Sequence, residues 1–306
     1  MENKSLVSVK DYSKAHILEI IKLAEKFEEK PQQRILEDKV IASLFFEPST
    51  RTRLSFESAV NKLSGRIVGF TDSGSSSVSK GESLKDTIRT VANYTDLIIM
   101  RHPLEGSAKY AVEVSDVPVI NAGDGANQHP TQTMLDLYSI YKTQGTLENL
   151  NLFLVGDLKY GRTVHSLLIA MSKFNTNFYF VSHSKLRIPV EYRMFMEENN
   201  INYREYNQFP DDLSNADIIY MTRVQKERFS DQIEYEKTKD NYILEKSMLK
   251  HTKDNLKILH PLPRLHEINE DVDDTKQAYY FQQAKNGVYT RQAIIADILG
   301  LQPENK

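Results

Sequence analysis

Short apolar runs recur along this chain, spaced by segments of helical periodicity, and nearly every run ends in a polar turn. That rhythm constrains the fold more than any other feature. The run VIASLFF at 40–46 is continuous, short and bounded by polar sequence, so it reads as a buried strand. Strand-like runs follow at Arg66–Thr71, Leu97–Arg101 and Val117–Ala122. Helical segments lie between them, from about Arg53 to Leu63, near Leu84–Tyr94 and near Glu105–Ser115. An earlier helix opens with Ser13 as N-cap and sets Ile17, Ile20, Ile21, Ala24 and Phe27 on one face. Strand and helix in alternation predict an α/β domain with a parallel sheet.

The segment Gln132–Thr143 reads as a long helix, after which the rhythm restarts. NLFLVGD (151–157) is followed by a helix from about Arg162 to Phe174, then by FYFVS (178–182), ADIIYM (216–221) and LKILH (256–260). The stretch from about Thr290 to Leu299 is again helical. No internal repeat is present. With 306 residues and about 150 per domain, the expectation is two α/β domains, each a three-layer arrangement of a mostly parallel sheet flanked by helices, hinged near residue 132.

Composition removes whole classes of function. There are no cysteines, which excludes disulfides, thiolate metal sites, iron–sulfur clusters and cysteine nucleophiles. Lys and Arg number 39 against 42 Asp and Glu, a net charge of −3, so nucleic acid has no global electrostatic footprint to follow. No apolar run approaches the roughly 18–20 residues of a membrane span. The N-terminus MENKSLVSVKDYSK lacks the apolar core of a signal peptide. The expectation is a soluble, cytoplasmic protein with no membrane or nucleic-acid partner.

Parallel sheets bind ligands at the carboxyl ends of their strands, which directs attention to the residues just after each run. After 40–46 come Glu47, Pro48, Ser49, Thr50, Arg51, Thr52 and Arg53. Hydroxyls, a helix N-terminus and two guanidinium groups suit a phosphate; an ordinary N-cap with two solvated arginines is the equally weighted alternative. Arg101-His102-Pro103 follows the third run, and a loop from Gly123 to Gln132 containing His129 follows the fourth. That loop lacks the spaced glycines of a dinucleotide fingerprint. Gly156–Thr163 differs from a P-loop by Arg162 in the lysine position, which argues against a nucleotide and for an anion clamp. Thr222–Arg228 carries three cations against one anion, and a solvated loop is its bland alternative. Pro261 and Pro263 in HPLPR (260–264) have no N–H, so this loop offers carbonyls in a rigid form, suited to an ammonium or amide NH₂. The Ser-rich loop 73–83, with Lys80 in it, reads by composition as a flexible linker. Residue types alone thus suggest a phosphorylated small molecule and a second anionic substrate, without naming a reaction.

Six of these segments resemble the aspartate/ornithine carbamoyltransferase family. Ser49–Arg53, Arg101-His102-Pro103 and His129–Gln132 look like its carbamoyl-phosphate motifs, while 157–166, 223–228 and 260–264 resemble its aspartate branch. The ornithine branch carries His-Cys-Leu-Pro where this chain has His260-Pro261-Leu262-Pro263. The resemblance implies carbamoyl transfer from carbamoyl phosphate to aspartate, an early step of pyrimidine synthesis, in a cleft between the domains and without metal or cofactor. It implies a carbamoyl-phosphate-binding domain at 1–131, completed by a C-terminal helix at 288–306, and an aspartate-binding domain at 132–287.

Site residues transfer by the same resemblance. Ser49, Thr50, Arg51 and Thr52 would bind phosphate; Arg101, His129 and Thr52 would hold the carbamoyl oxygen; Gln132 and the carbonyls of Pro261 and Leu262 would take the carbamoyl NH₂. Arg162 and Arg223 would clamp the aspartate carboxylates, with Thr163 and Gln225 beside them. In the family a serine and a lysine of the Ser-rich loop enter the neighbouring subunit's site, which makes Lys80 and either Ser76 or, preferred, Ser77 the matching residues and implies a homotrimer. That loop is one residue shorter than in the enterobacterial pattern. Association with a separate regulatory chain is an option the resemblance leaves open. Glu47 is expected to pair with one or more of the arginines, and Glu234 to latch a closed form.

Overall fold

A computed structural model describes residues 5–72, 80–125, 127–224 and 242–304. The chain divides into two compact units: Met1–Tyr138 together with Lys285–Lys306, and Ser139–Ala284. The division falls within one long helix, Pro130–Gln144.

In the first unit, helix α1 (Lys14–Glu29) starts where the sequence places it. Ser13 Oγ accepts the His16 N–H at 3.1 Å, and Ile17, Ile20, Ile21, Ala24 and Phe27 are all buried. Four parallel strands follow: β1 (Val40–Phe45), β2 (Arg66–Phe70), β3 (Leu97–His102) and β4 (Val119–Asp124). Between them run α2 (Thr50–Lys62), α3 (Leu84–Ala92) and α4 (Ser107–Val114). The sheet order is β2-β1-β3-β4. The chain therefore lays β2 on one side of β1 and then crosses to the other side for β3 and β4. The gap between the carboxyl ends of β1 and β3 is the switch point, the place where open α/β sheets leave a crevice. Phe45 at the end of β1 stands opposite Arg101 of β3. Core packing on this sheet comes from Ala42, Leu44, Ile98, Met100 and Val119 with Ile88, Ala108 and Ala111 of the helices.

Helix α5 (Pro130–Gln144) opens with proline at its first position, where the missing N–H costs no bond. The second unit contains β5 (Asn151–Val155), α6 (Arg162–Met171), β6 (Asn177–Val181), α7 (Val190–Glu198), β7 (Tyr203–Tyr206), β8 (Ile218–Met221) and β9 (Lys257–Leu259). These strands are parallel too, in the order β7-β6-β5-β8-β9, so the switch point lies between β5 and β8. Its core joins Phe153, Val155, Ile219, Met221 and Ile258 to Tyr242, Leu244 and Tyr280. Helix α8 (Tyr280–Leu299) ends the fold and contributes to the first unit from Lys285 on.

Three features differ from the sequence expectation. Helix α7 and strand β7 carried no signal. Met196 is the one buried residue of α7, and Val190 and Met194 are exposed, so no apolar stripe forms. Strand β7 reads YREY because it is the sheet's edge and needs no apolar run. Helix α8 begins ten residues before Thr290 and runs through Gly287, a residue that sequence reading takes as a break. A Cβ at Gly287 would lie 2.4 Å from Arg291 Nη1. The glycine, normally about 1 kcal/mol worse than alanine inside a helix, makes room for that buried side chain. Arg291 donates to Ser55 Oγ at 3.0 Å and to the Gly287 carbonyl at 3.2 Å, and lies over the Phe56 ring.

Candidate active site

At the first switch point, β1 leads into Glu47 and then into the N-terminus of α2. Ser49 is the N-cap residue, yet its side chain makes no capping hydrogen bond, and Thr50, Arg51 and Thr52 form the first turn. The early N–H groups of α2 thus have no side-chain cap, which leaves the positive end of the helix for an anion. Thr52 is buried, while Thr50 and Arg51 face outward. Partial burial, then repulsion from Arg101, hold the Arg51 guanidinium below the ordinary arginine value. Two cations that repel each other across a crevice suit an anion placed between them.

Arg101 Nε lies 2.8 Å from Glu47 Oε1. This ion pair crosses from the end of β3 to the end of β1. Its N–H does not point along the contact, so charge attraction rather than a linear hydrogen bond holds the two groups. Arg101 Nη1 also donates to the Ala122 carbonyl at 3.4 Å, which ties it to β4. The expectation that Glu47 would pair with an arginine is met at Arg101. His102 accepts at Nδ1 from the Leu104 N–H at 3.1 Å and contacts Ser107 Oγ at 2.8 Å, so it fixes its own turn.

The loop before α5 is organised by Asp124, a residue that sequence reasoning passed over. Its Oδ1 accepts from Asn121 Nδ2 at 2.9 Å and the Gln128 N–H at 3.2 Å. Its Oδ2 accepts from the Gly106 N–H at 2.9 Å and Asn127 Nδ2 at 3.1 Å. An aspartate between two glycines is a turn signal that could have identified it. His129 follows, buried, with its carbonyl accepting from the Gln132 and Thr133 N–H groups at 3.0 and 3.2 Å. Gln132, also buried, donates through Nε2 to Asp136 Oδ1 at 2.8 Å.

In the second unit, β5 runs into a turn at Gly156, whose φ is +108°. A Cβ there would lie 2.3 Å from the Thr222 carbonyl oxygen at the end of β8. Thr222 Oγ1 donates to the Val155 carbonyl at 2.8 Å and accepts the Asp157 N–H at 3.0 Å, clamping the two strand ends. Asp157 Oδ1 then accepts from the N–H groups of Lys159 and Tyr160 at 3.2 and 3.0 Å, which shapes the turn into α6. Arg162 and Thr163 occupy the first turn of α6, and Arg223 follows β8, so the two arginines flank the second switch point. Burial lowers the His165 imidazole below its ordinary value; its ring donates through Nε2 to the Leu158 carbonyl at 2.8 Å and stacks on Tyr192.

The loop after β9 is held by a buried pair. His260 Nε2 lies 2.8 Å from Glu267 Oε1, and His260 Nδ1 accepts the Leu262 N–H at 2.7 Å. Glu267 Oε2 accepts from the N–H groups of Leu265 and His266 at 3.1 and 3.2 Å. Burial would raise the Glu267 carboxyl, but the bond from His260 and the backbone N–H groups of Glu267 and Leu265 bring it below the ordinary value. Arg264 pairs with Asp273 and donates to Tyr280 Oη at 3.0 Å. Lys80 is exposed, just ahead of α3. Ser76, Ser77, Gln225 and Glu234 lie outside the described residues. Among the described residues, no cluster of three His, Asp or Glu could hold a metal ion, and no helix is long and apolar enough to cross a membrane.

The described site residues of the six strand-end segments therefore follow the carboxyl ends of parallel strands, and the two arginine pairs mark the two switch points. Known proteins share this fold. Residues 4–142 match the aspartate/ornithine carbamoyltransferase carbamoyl-P binding domain, and residues 148–298 match the Asp/Orn binding domain of the same family. The chain is 62% identical over 302 residues to the aspartate carbamoyltransferase catalytic subunit of Phocaeicola vulgatus, covering 98% of this chain and 96% of that one. It is 52% identical to that of Clostridium perfringens, over 98% and 99% of the two chains. The catalytic subunit of M. jannaschii aspartate transcarbamoylase superimposes with a TM-score of 0.92 at 48% identity, covering 98% of each chain. The Trypanosoma cruzi aspartate transcarbamoylase in complex with carbamoyl aspartate and phosphate gives 0.90 at 33% identity, over 98% and 97%. The chain belongs to the aspartate/ornithine carbamoyltransferase family.

Proposed function

We infer that this chain transfers the carbamoyl group of carbamoyl phosphate to the amine of L-aspartate, giving N-carbamoyl-L-aspartate and phosphate. The observation that carries the reading is identity of 62% along 98% of the chain to an aspartate carbamoyltransferase catalytic subunit. The charge pattern agrees: Arg162 and Arg223 suit a dicarboxylate better than ornithine, which brings one carboxylate and a cation.

Ser49, Thr50, Arg51 and Thr52 bind the phosphate at the N-terminus of α2. The carbamoyl oxygen is held by Arg101, His129 and the Thr52 hydroxyl. Its NH₂ is taken by Gln132 and by the carbonyls of Pro261 and Leu262, and the latter two carry no charge that would compete with the phosphate site. Arg162 and Arg223 hold the aspartate carboxylates, with Thr163 and Gln225 beside them, and Leu262 and Lys80 also line the aspartate subsite. The neutral aspartate amine attacks the carbamoyl carbon through its lone pair. Negative charge grows on the carbamoyl oxygen, where a single well-placed donor is worth about 3–4 kcal/mol of barrier. The C–O bond to phosphate then breaks, and the leaving phosphate accepts the proton released by the amine. Glu47 holds Arg101 from behind, so that guanidinium does not reorganise as the charge develops.

The reading extends to a carbamoyl-phosphate domain at 1–131 with 288–306 and an aspartate domain at 132–287. It extends also to a cytoplasmic homotrimer in which Ser77 and Lys80 of one chain complete a neighbour's site. Such a trimer is compatible with a separate regulatory chain.

The test supplies the purified chain with carbamoyl phosphate and either aspartate, ornithine or no acceptor, and follows the carbamoylated product. Product with aspartate alone supports the reading. Product with ornithine overturns the assignment of Arg162 and Arg223, and no product from a folded trimer overturns the reaction itself.

A further inference from the structure

The loop His260–Arg264 has two prolines, so Leu262 supplies the one N–H between His260 and Arg264. That N–H is bound by His260 Nδ1 at 2.7 Å. In a trans peptide the carbonyl of residue i points opposite to the N–H of residue i+1. Binding the Leu262 N–H toward the buried imidazole therefore turns the Pro261 carbonyl the other way, out of the interior. Leu262 itself sits at φ +56°, a left-handed conformation that a leucine keeps only when neighbours impose it. The imidazole bond holds the peptide that enters this conformation, and so fixes the plane from which the Leu262 carbonyl departs.

The imidazole is itself fixed. A backbone N–H can only donate, so Nδ1 must be the unprotonated nitrogen and Nε2 must carry the proton. That proton is given to Glu267 Oε1 at 2.8 Å, with both side chains almost fully buried. Glu267 is in turn anchored by the Leu265 and His266 N–H groups, and the His260 N–H donates to Gln283 Oε1 at 2.8 Å. We propose that His260, locked in one tautomer by Glu267, is a positioning residue for the carbamoyl amide: it aims the Pro261 and Leu262 carbonyls at the NH₂ that distinguishes carbamoyl phosphate from phosphate. The proposal rests on the reading of those carbonyls given above. It adds the device that orients them, which acts without touching substrate.

The experiment compares binding of carbamoyl phosphate with inhibition by inorganic phosphate, which lacks the amide, in the full-length protein and its variants. His260→Gln removes the acceptor at the Nδ1 position, whereas His260→Asn keeps an oxygen there. His260→Gln is expected to weaken carbamoyl phosphate about tenfold, with phosphate changed less than about twofold, and His260→Asn to recover most of the loss. Parallel weakening of both ligands, equal loss in the two variants, or no loss in either overturns the proposal. Should His260→Gln not fold, Glu267→Gln replaces it, with an expected selective loss of about threefold, and a loss shared by phosphate has the same overturning force. Wild-type protein that does not carbamoylate aspartate refutes the functional reading. Active wild type whose variants break the pattern refutes this inference alone.

Discussion

Gln132 donates through Nε2 to Asp136 Oδ1 at 2.8 Å, one turn along α5, with both side chains buried. A carboxylate can only accept, so the bond decides which way the amide lies: NH₂ toward Asp136, and the Oε1 acceptor on the opposite side. An acceptor is what a carbamoyl NH₂ requires. Asp136 also offsets the charge of Arg291, whose guanidinium is pushed down to about 10 by complete burial against the pull of that carboxylate.

Asp136→Asn should therefore act twice. The amide of Gln132 loses its fixed sense, and carbamoyl phosphate should bind several-fold more weakly while phosphate is little affected. Arg291 loses the favourable pull of that carboxylate, and stability should fall by about 1–3 kcal/mol. Urea unfolding of Asp136→Asn against the double variant Asp136→Asn/Arg291→Met checks the second effect: the double variant should regain part of the loss.

Glu47→Gln keeps the shape of the side chain that meets Arg101 but removes its charge. Turnover should drop about tenfold or more, matching the roughly 1.5–3 kcal/mol of a contact to a charged group. The unfolding midpoint should barely move, because both groups lie at the rim of the sheet rather than in its core. Steady-state kinetics with saturating substrates, run beside thermal melts, would detect the opposite pattern.

Gly156→Ala places a Cβ where the Thr222 carbonyl stands and demands φ +108° of an alanine. The strained backbone costs about 1–3 kcal/mol before any clash is counted. Loss of more than about 3 kcal/mol is expected in urea unfolding, with aspartate saturation impaired more than carbamoyl-phosphate binding, since Arg162 and Arg223 flank this junction.

Two histidines should make the protein acid-sensitive before its carboxylates titrate. Burial lowers His102 and His165 below the ordinary 6.5, so the unfolded chain takes up protons first as pH falls. Stability from this source is complete above 6.5 and declines as pH drops toward the folded values. Glu267, held below 4.5 in the fold, adds a second decline as pH falls further. Urea midpoints measured from pH 7.5 downward should show the first fall beginning near 6.5, and His165→Leu should make it shallower.

Much of this was legible in the sequence because buried parallel strands must be short apolar runs. Strands β1, β3, β5 and β8 are such runs, and their ends carry the chemistry. The N-cap Ser13 and the face of α1 follow from spacing alone. Strand β7 and helix α7 did not register because a sheet edge and a mostly exposed helix bury too little to leave a pattern. At the candidate site, the residues expected to touch substrate were readable as guanidinium, hydroxyl and imidazole groups at strand ends. Asp124, Asp136 and Glu267 were not, because an orienting carboxylate is defined by which donors the folded backbone turns toward it, such as the Gly106 N–H on Asp124 or the His260 ring on Glu267.

The first unit is finished by the last residues of the chain. Arg291, which braces Ser55 and Phe56 of α2 and balances Asp136, is translated long after both. Nearly 150 residues separate Tyr138 from Lys285, and at about 5–20 residues per second a ribosome needs on the order of 7–30 s to make them. Throughout that interval the nascent phosphate-side helix stands without its Arg291 contacts. A message truncated just after Ala284 would encode every residue assigned to substrate here and still leave that helix unsupported. Translation of the last turns of α8, rather than of any substrate-contacting residue, is thus the step that gives α2 its Arg291 contacts.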